Sequence, residues 1–371
     1  MAPAVAESLG ISAGYTGLYV AIVYLGAMLA SLAGGGAVAR FGAIRVSQGG
    51  LVLCALGLAL CALPTAASIA VGAFLIGLGY GPITPASSHL LARGTPAHRL
   101  SLVFSIKQTG VPLGGALAGA VVPSLMLALG WQGALLAVAA ANLACAVAAQ
   151  PVRAPLDDDR DPKRSLVIAN LAQPVRLVLS HPVLRMLAGC SFVFSITQLS
   201  FTSYLVTYLH GTLSYTLVAA GFVLALAQFG GVAGRVLWGW AADRGWGARR
   251  TLAGLGLLMG ASASATALLQ PGWPLGLVVA ILVVFGGSAI GWNGVYLAEV
   301  ARRAPTGQAG LATGGTLAVT FFGVVLGPPV FGALSSFFGS YRAGFAALAL
   351  ATCCCAWVLL RAGGSIVREP V

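Results

Sequence analysis

Eleven long apolar stretches follow one another along the chain, at about 14–38, 47–63, 68–92, 101–126, 131–150, 185–209, 215–241, 250–269, 275–300, 309–335 and 341–361. A helix needs roughly 20 consecutive apolar residues to cross a bilayer, and these stretches have that length. They do not alternate apolar and polar residues as barrel strands do. They are apolar on every side and rich in Gly, Ala and Leu, as helices buried in lipid and against each other are. The pattern predicts an all-α polytopic membrane protein with no room for a soluble domain. One long polar segment, 151–184, divides it into a bundle of five spans over 1–150 and a bundle of six over 185–371. That segment carries Asp157, Asp158, Asp159 and Asp161 beside Arg160, Lys163 and Arg164, then an amphipathic stretch Ser165–Ser180. It reads as a linker with a surface helix, and its acidic run as a solvated charge cluster rather than a metal site.

Charge adds a direction. The chain is 58% hydrophobic and only 8% charged, yet its net charge is +12. All Lys and Arg except Lys107, Arg235 and Arg342 fall at every second connection: Arg40 and Arg45, Arg93 and Arg99, the linker, Arg244 to Arg250, Arg302 and Arg303, and Arg361 and Arg368. The connections between them are short and nearly uncharged. The positive-inside rule places the basic set, the linker and the C-terminus in the cytoplasm and Met1 outside. The positive charge therefore reports orientation, and no nucleic-acid partner is expected. All seven cysteines lie in apolar runs without metal-ligand spacing to the four histidines, so they read as packing residues. No metal, cofactor, nucleophile–base set or ATP-binding loop is legible, which argues against an enzyme or an ATP-driven pump. A monomer is expected.

Two of the three exceptions lie inside the membrane. Lys107 and Arg235 each sit about eight residues from the cytoplasmic end of a span, some 12 Å deep. A charge at a helix centre costs at least about 2.5–3.5 kcal/mol and usually faces a cavity or a partner. No Asp or Glu lies at that depth. Two cations without carboxylate partners imply an anion between them, with snorkelling toward the headgroups as the competing reading. Lys107, Gly110, Gly114 and Ala118 share one helical stripe, as do Gln228, Gly231, Arg235 and Gly239. Gln198, Trp292, Asn293 and Tyr80 are further polar candidates at mid-span.

The two halves repeat each other. GGAVARFGAIR at Gly35–Arg45 returns as GWAADRGWGARR at Gly239–Arg250, and GVPLGG at Gly110–Gly115 returns as GPPVFG at Gly327–Gly332. Gly79–Gly81 pairs loosely with Gly291–Gly294. With these motifs the chain resembles the major facilitator superfamily over essentially its whole length. The hallmark loop of that family, Gly-x3-Asp-Arg-x-Gly-x-Arg-Arg in loose form, is matched by Gly239, Asp243, Arg244, Arg249 and Arg250. The first copy keeps Gly35, Arg40, Gly42 and Arg45 but has Ala39 where the acid belongs.

The resemblance implies twelve helices in two bundles around a central cavity, rocking between inward-facing and outward-facing states. Aligned this way, the family's first span is missing and Met1–Gly10 corresponds to the outer loop after it. Asp243 is expected to pair with the positive end of a neighbouring helix, and Glu299 with Arg302 and Arg303. With Ala39, the first half's lock must be weaker or built differently. The run Gly234–Arg244 resembles the eighth span of monocarboxylate, oxalate–formate and cyanate-type carriers, where the arginine holds the substrate carboxylate. Gly110, Pro112, Gly114 and Gly115 resemble an antiporter motif, which physically gives a closely packed, kinkable helix with a freed carbonyl. Gly327, Pro328 and Pro329 are its counterpart. The expectation is a secondary transporter of a small organic anion in a bacterial cytoplasmic membrane. Efflux of a drug or metabolite by exchange is the alternative, and a non-transporting scaffold or receptor is the reading outside transport.

Overall fold

The computed structural model describes residues 16–163 and 172–361. Among them there are helices and turns and no strand. In lipid every backbone N–H and C=O must be satisfied within the chain, and continuous helices do this for apolar segments. In chain order the helices are α1 Thr16–Phe41, α2 Ala43–Cys61, α3 Ala66–Tyr80, α4 Ile83–Gly94, α5 Leu100–Ala148, α6 Gln150–Leu156 and α7 Ala172–Ser180. They continue as α8 Pro182–Leu213, α9 Leu217–Ala241, α10 Ala248–Leu268, α11 Leu275–Ala289, α12 Asn293–Arg303, α13 Ala309–Phe337 and α14 Tyr341–Arg361.

Among the described residues, ten apolar helical segments are long enough to cross a membrane. The expected fourth and fifth spans both lie in α5, which Gly130 breaks with φ 70 and ψ 174. That conformation suits glycine, and the pieces on either side of it are each of spanning length. Start signals behave as their chemistry requires. The Thr65 side chain accepts from the Ser68 N–H at 3.1 Å to open α3, and Thr216 accepts from Ala219 at 3.2 Å to open α9. The repeat is visible in the breaks. The third span is interrupted at 81–82 and the ninth at 290–292, at the paired glycine motifs.

Two compact units can be separated. The first holds the described parts of Met1–Gly94, Leu113–Arg185 and Val300–Phe322; the second holds Thr95–Pro112, Met186–Glu299 and the described part of Gly323–Val371. In the first, α3 packs on α1 and α2. Gly26 and Gly77 face each other across one contact, and Gly57 and Gly72 across the other, so closely that a Cβ at any of them would overlap the opposite backbone. In the second, α9 packs on α11 and α10 on α14. Gly230 and Gly234 bring α9 against the carbonyls of Val283 and Gly287. The amphipathic helix of the linker is α7. Its Val178 and Pro174 are buried, and the Pro174 carbonyl abuts Gly315 of α13. The buried part of its apolar side thus packs on protein. Part of the amphipathic stretch, 165–171, and the expected outer loop Met1–Gly10 lie outside the described residues.

Candidate functional site

Arg235 sits one turn beyond Gly231 on α9, where the glycine packs on the Ile290 side chain. It is only 3% exposed. Its Nε donates to the Ile290 carbonyl at 3.1 Å, in the break between α11 and α12, and its Nη1 donates to the Gln108 carbonyl of α5. Gln108 is itself buried. Its side-chain Oε1 accepts from the Lys107 Nζ at 3.0 Å. The two intramembrane cations thus converge on one glutamine. Arg235 is held through the main-chain carbonyl of Gln108 and Lys107 through its side-chain carbonyl. This corrects the expectation of unpartnered cations, since both are solvated by carbonyl dipoles. Gln108 escaped sequence reading because it is neutral and half of its contribution is backbone.

A second cluster forms at the same helix break. The Gln198 Oε1 on α8 accepts from the Trp292 Nε1 at 3.1 Å and the Asn293 Nδ2 at 3.2 Å. Three candidates from two spans therefore meet. Trp292 is fully buried, edge-on to Phe194 with centroids 5.6 Å apart and 5.2 Å from the Tyr296 ring. Residues 290–293 serve both clusters, giving a carbonyl to Arg235 and two donors to Gln198. Gln228 is exposed on α9, two turns before Arg235. Tyr80 belongs to the first unit, 6.0 Å from the Phe321 ring that also meets Tyr24.

The small-residue stripe on α5 behaves differently from expectation. A side chain added at Gly110, Gly114 or Gly115 would meet open space, so these glycines do not mediate close packing. The tight approaches lie at Gly239 and Gly294, both against Ser105, and at Gly327 against Ile196. The Pro328 carbonyl accepts from the Tyr204 hydroxyl at 3.0 Å. Pro329 lines an open cleft of about 900 Å³ together with Tyr204, Thr207, Ser336 and Tyr341.

The hallmark loops hold helix ends. Asp243 accepts from the N–H groups of Ser101 and Leu102, at 3.1 and 2.8 Å, at the start of α5. A carboxylate there meets both unsatisfied donors and the positive helix end. Arg244 stacks over Trp240 at 4.7 Å, Arg249 is half-buried, and Glu299 is buried at the end of α12. In the first copy Arg40 lies over the Phe41 ring, while Arg45 reaches Gln48 at 3.3 Å.

An acid of the linker lies at this first loop. Asp157 accepts from the N–H groups of Ile44 and Arg45, at 2.8 and 3.1 Å, and caps α2. Gly42, at φ 93, leaves the space the Asp157 carboxyl fills. Asp157 is 3% exposed, and Arg153 lies 3.8 Å away. The reading of the acidic run as a solvated cluster is thereby corrected for its first member. Asp158 pairs with Arg93 at 2.6 Å, Asp159 with Arg93 and His89 at 2.9 and 2.6 Å, and the Asp161 N–H donates to the Ala39 carbonyl at 2.8 Å. The segment 157–161 is strapped along the ends of α1, α2 and α4. The glycine at position 42 was the only sequence signal of this strap.

Comparison with known proteins agrees with this architecture. A family model described as Major Facilitator Superfamily matches residues 1–319. Human monocarboxylate transporter 11 is 28% identical over 366 residues, covering 92% of this chain and 74% of that protein. The 4-hydroxybenzoate transporter PcaK of Pseudomonas putida is 27% identical over 363 residues, covering 88% and 79%. A solved bacterial homologue of the iron transporter ferroportin, in its outward-facing state, superposes with a TM-score of 0.79 at 14% identity, over 97% of this chain and 93% of that one. At that identity the likeness concerns the fold alone. With ten helical segments of membrane-spanning length among the described residues, a twofold internal repeat and a hallmark-loop acid seated on a helix N-terminus, the chain belongs to the Major Facilitator Superfamily of membrane transporters.

Proposed function

We propose that this transporter carries a small organic anion of the monocarboxylate class by alternating access, with Arg235 and Lys107 as its charge anchors. The observation that carries the reading is the convergence of both intramembrane cations on Gln108. Carbonyl oxygens solvate a cation but bring no formal charge, whereas a carboxylate brings charge and a second oxygen that matches the guanidinium fork. Gln198, Trp292 and Asn293, one helix break away, would meet the neutral part of such a substrate. Two of the relatives are named for carrying monocarboxylates and 4-hydroxybenzoate, and both names denote carboxylates. The reading includes two rocking bundles, with the linker on the cytoplasmic side of a bacterial inner membrane.

The test is uptake of labelled lactate and 4-hydroxybenzoate by proteoliposomes. Arg235→Ala should lower uptake at least ~30-fold, the equivalent of about 2 kcal/mol lost from a buried charge contact. Arg235→Lys should retain part of it, because charge survives without the fork. Undiminished uptake in Arg235→Ala overturns the anion site. Altered drug resistance without anion uptake would support efflux instead.

A further inference from the structure

A helix carbonyl normally accepts from the N–H four residues on. Four residues after Gln108 stands Pro112, which has no N–H. The carbonyl that the proline withdraws from the ladder of α5 is the one that takes the Arg235 Nη1. We infer that Pro112 is a positioning residue that presents the Gln108 carbonyl to Arg235, forming a clasp that an arriving anion undoes. The inference rests on the anion reading above and extends it to the regulation of the same site.

The clasp has neighbours. The stretch of α5 up to Pro112 packs within the second unit. Asp243 holds its first turn through Ser101 and Leu102. Ser105, one turn on, lies in a notch between Gly239 and Gly294, where a Cβ on either glycine would overlap it. Arg235 holds the next turn at Gln108. Asp243 and Arg235 are two turns apart on one continuous stretch of chain. They grip complementary groups of the same helix, N–H at one end and C=O further along. Asp243 already brings a full negative charge to its donors, so an arriving carboxylate gains nothing by displacing it. Arg235 binds with a donor that any carboxylate would claim, because a carboxylate adds a formal charge and a second oxygen for the guanidinium fork that the Gln108 carbonyl lacks. When a carboxylate takes the guanidinium fork, the Gln108 carbonyl loses its partner and has no N–H at position 112 to return to. Cargo occupancy thereby loosens the third hold on α5 and leaves the other two intact.

The clasp makes an unusual prediction for Pro112→Ala. Restoring the N–H draws the Gln108 carbonyl back into the helix ladder and releases the Arg235 Nη1 from it in the empty protein. Affinity for 4-hydroxybenzoate, measured by equilibrium binding to purified protein, should tighten about fivefold, or ~1 kcal/mol. Turnover in proteoliposomes should fall about tenfold, because occupancy no longer changes how α5 is held. A merely bent helix would show no such opposition between binding and rate. Pro112→Gly and Pro112→Ser also restore the N–H and serve where the alanine variant does not fold. Wild-type affinity, or weaker, in any folded variant of the three overturns the clasp. The unmodified protein gives an independent readout. Saturating 4-hydroxybenzoate should speed amide exchange about tenfold in the peptide spanning 104–112, and unchanged or slower exchange overturns the clasp as well. Arg235→Gln separates the two proposals. If it binds 4-hydroxybenzoate as wild type does, the anion site fails and the clasp with it. If it loses binding while Pro112→Ala matches wild type, the clasp alone fails.

Discussion

Replacing Asp157 by alanine removes the cap of α2 and tests the strap directly. The carboxylate is 3% exposed and accepts two backbone N–H groups at 2.8 and 3.1 Å. Loss of a side-chain cap costs about 0.5–2 kcal/mol, and a hydrogen bond to a charged group is worth about 1.5–3 kcal/mol. Both figures describe the same contact, so they overlap instead of adding, and a net loss of about 2 kcal/mol follows. For the first unit that lowers Tm by about 4–8 °C. Two thiols report on α2 itself, since Cys54 is half-buried and Cys61 buried on that helix. A thiol-reactive fluorophore added during a thermal ramp in detergent follows their exposure. Asp158→Ala is the control. Its side chain is 63% exposed and paired with an Arg93 that is itself 39% exposed, so it should cost under ~1 kcal/mol. An equal shift for both variants, or none for Asp157→Ala, would refute the capping role.

Gly42→Ala should destabilise about as much as Asp157→Ala, because it adds a left-handed φ of 93° for alanine to an overlap with the Asp157 carboxyl. In the Asp157→Ala background the overlap disappears, so the double variant should lose less than the sum of the singles, read by the same thermal ramp. Burial pushes the Asp159 carboxyl upward, but hydrogen bonds from His89 and Arg93 outweigh it and hold the group below its ordinary value of 3.8. A depressed folded value means that this stability is present above pH 3.8 and is lost as pH falls through the folded value. The Tm difference between wild type and Asp159→Asn should accordingly persist at neutral pH and vanish on strong acidification; a difference that grows on acidification contradicts it. Gln198→Ala strands the indole N–H of a fully buried Trp292. It should cost about 1–3 kcal/mol in the same ramp, and a cost within error of zero would remove Gln198 as the organiser of the helix break.

Much of the fold follows from letters alone, because a bilayer demands long apolar helices and basic connections whatever the tertiary packing. The seat of Asp243 on a helix end was legible in the same way, since a carboxylate in a hallmark loop has a known complement in the donors of a nearby helix N-terminus. Asp157 was not legible. Its neighbours Asp158, Asp159 and Asp161 have the composition of a solvated run, and only the folded path puts the first of them beneath Gly42 while the next two reach Arg93. Arg235 misled for a related reason. A search for its partner among side chains finds no acid at its depth, while the groups it holds are backbone carbonyls, which the residue letters do not spell out. Proline is the exception, because counting back four residues from Pro112 names the freed carbonyl.

The strap between Asp157 and α2 also has a consequence in time. The cap of a helix is usually its own neighbour and leaves the ribosome with it. Here the helix begins at Ala43 and its capping carboxylate is 113 residues downstream of the first N–H it serves. At about 5–20 residues per second, α2 waits roughly 6–20 seconds for the group that completes its end. The start of α2 is therefore completed only by the linker, so a nascent chain halted before Asp157 should hold α2 less firmly than one released just beyond it.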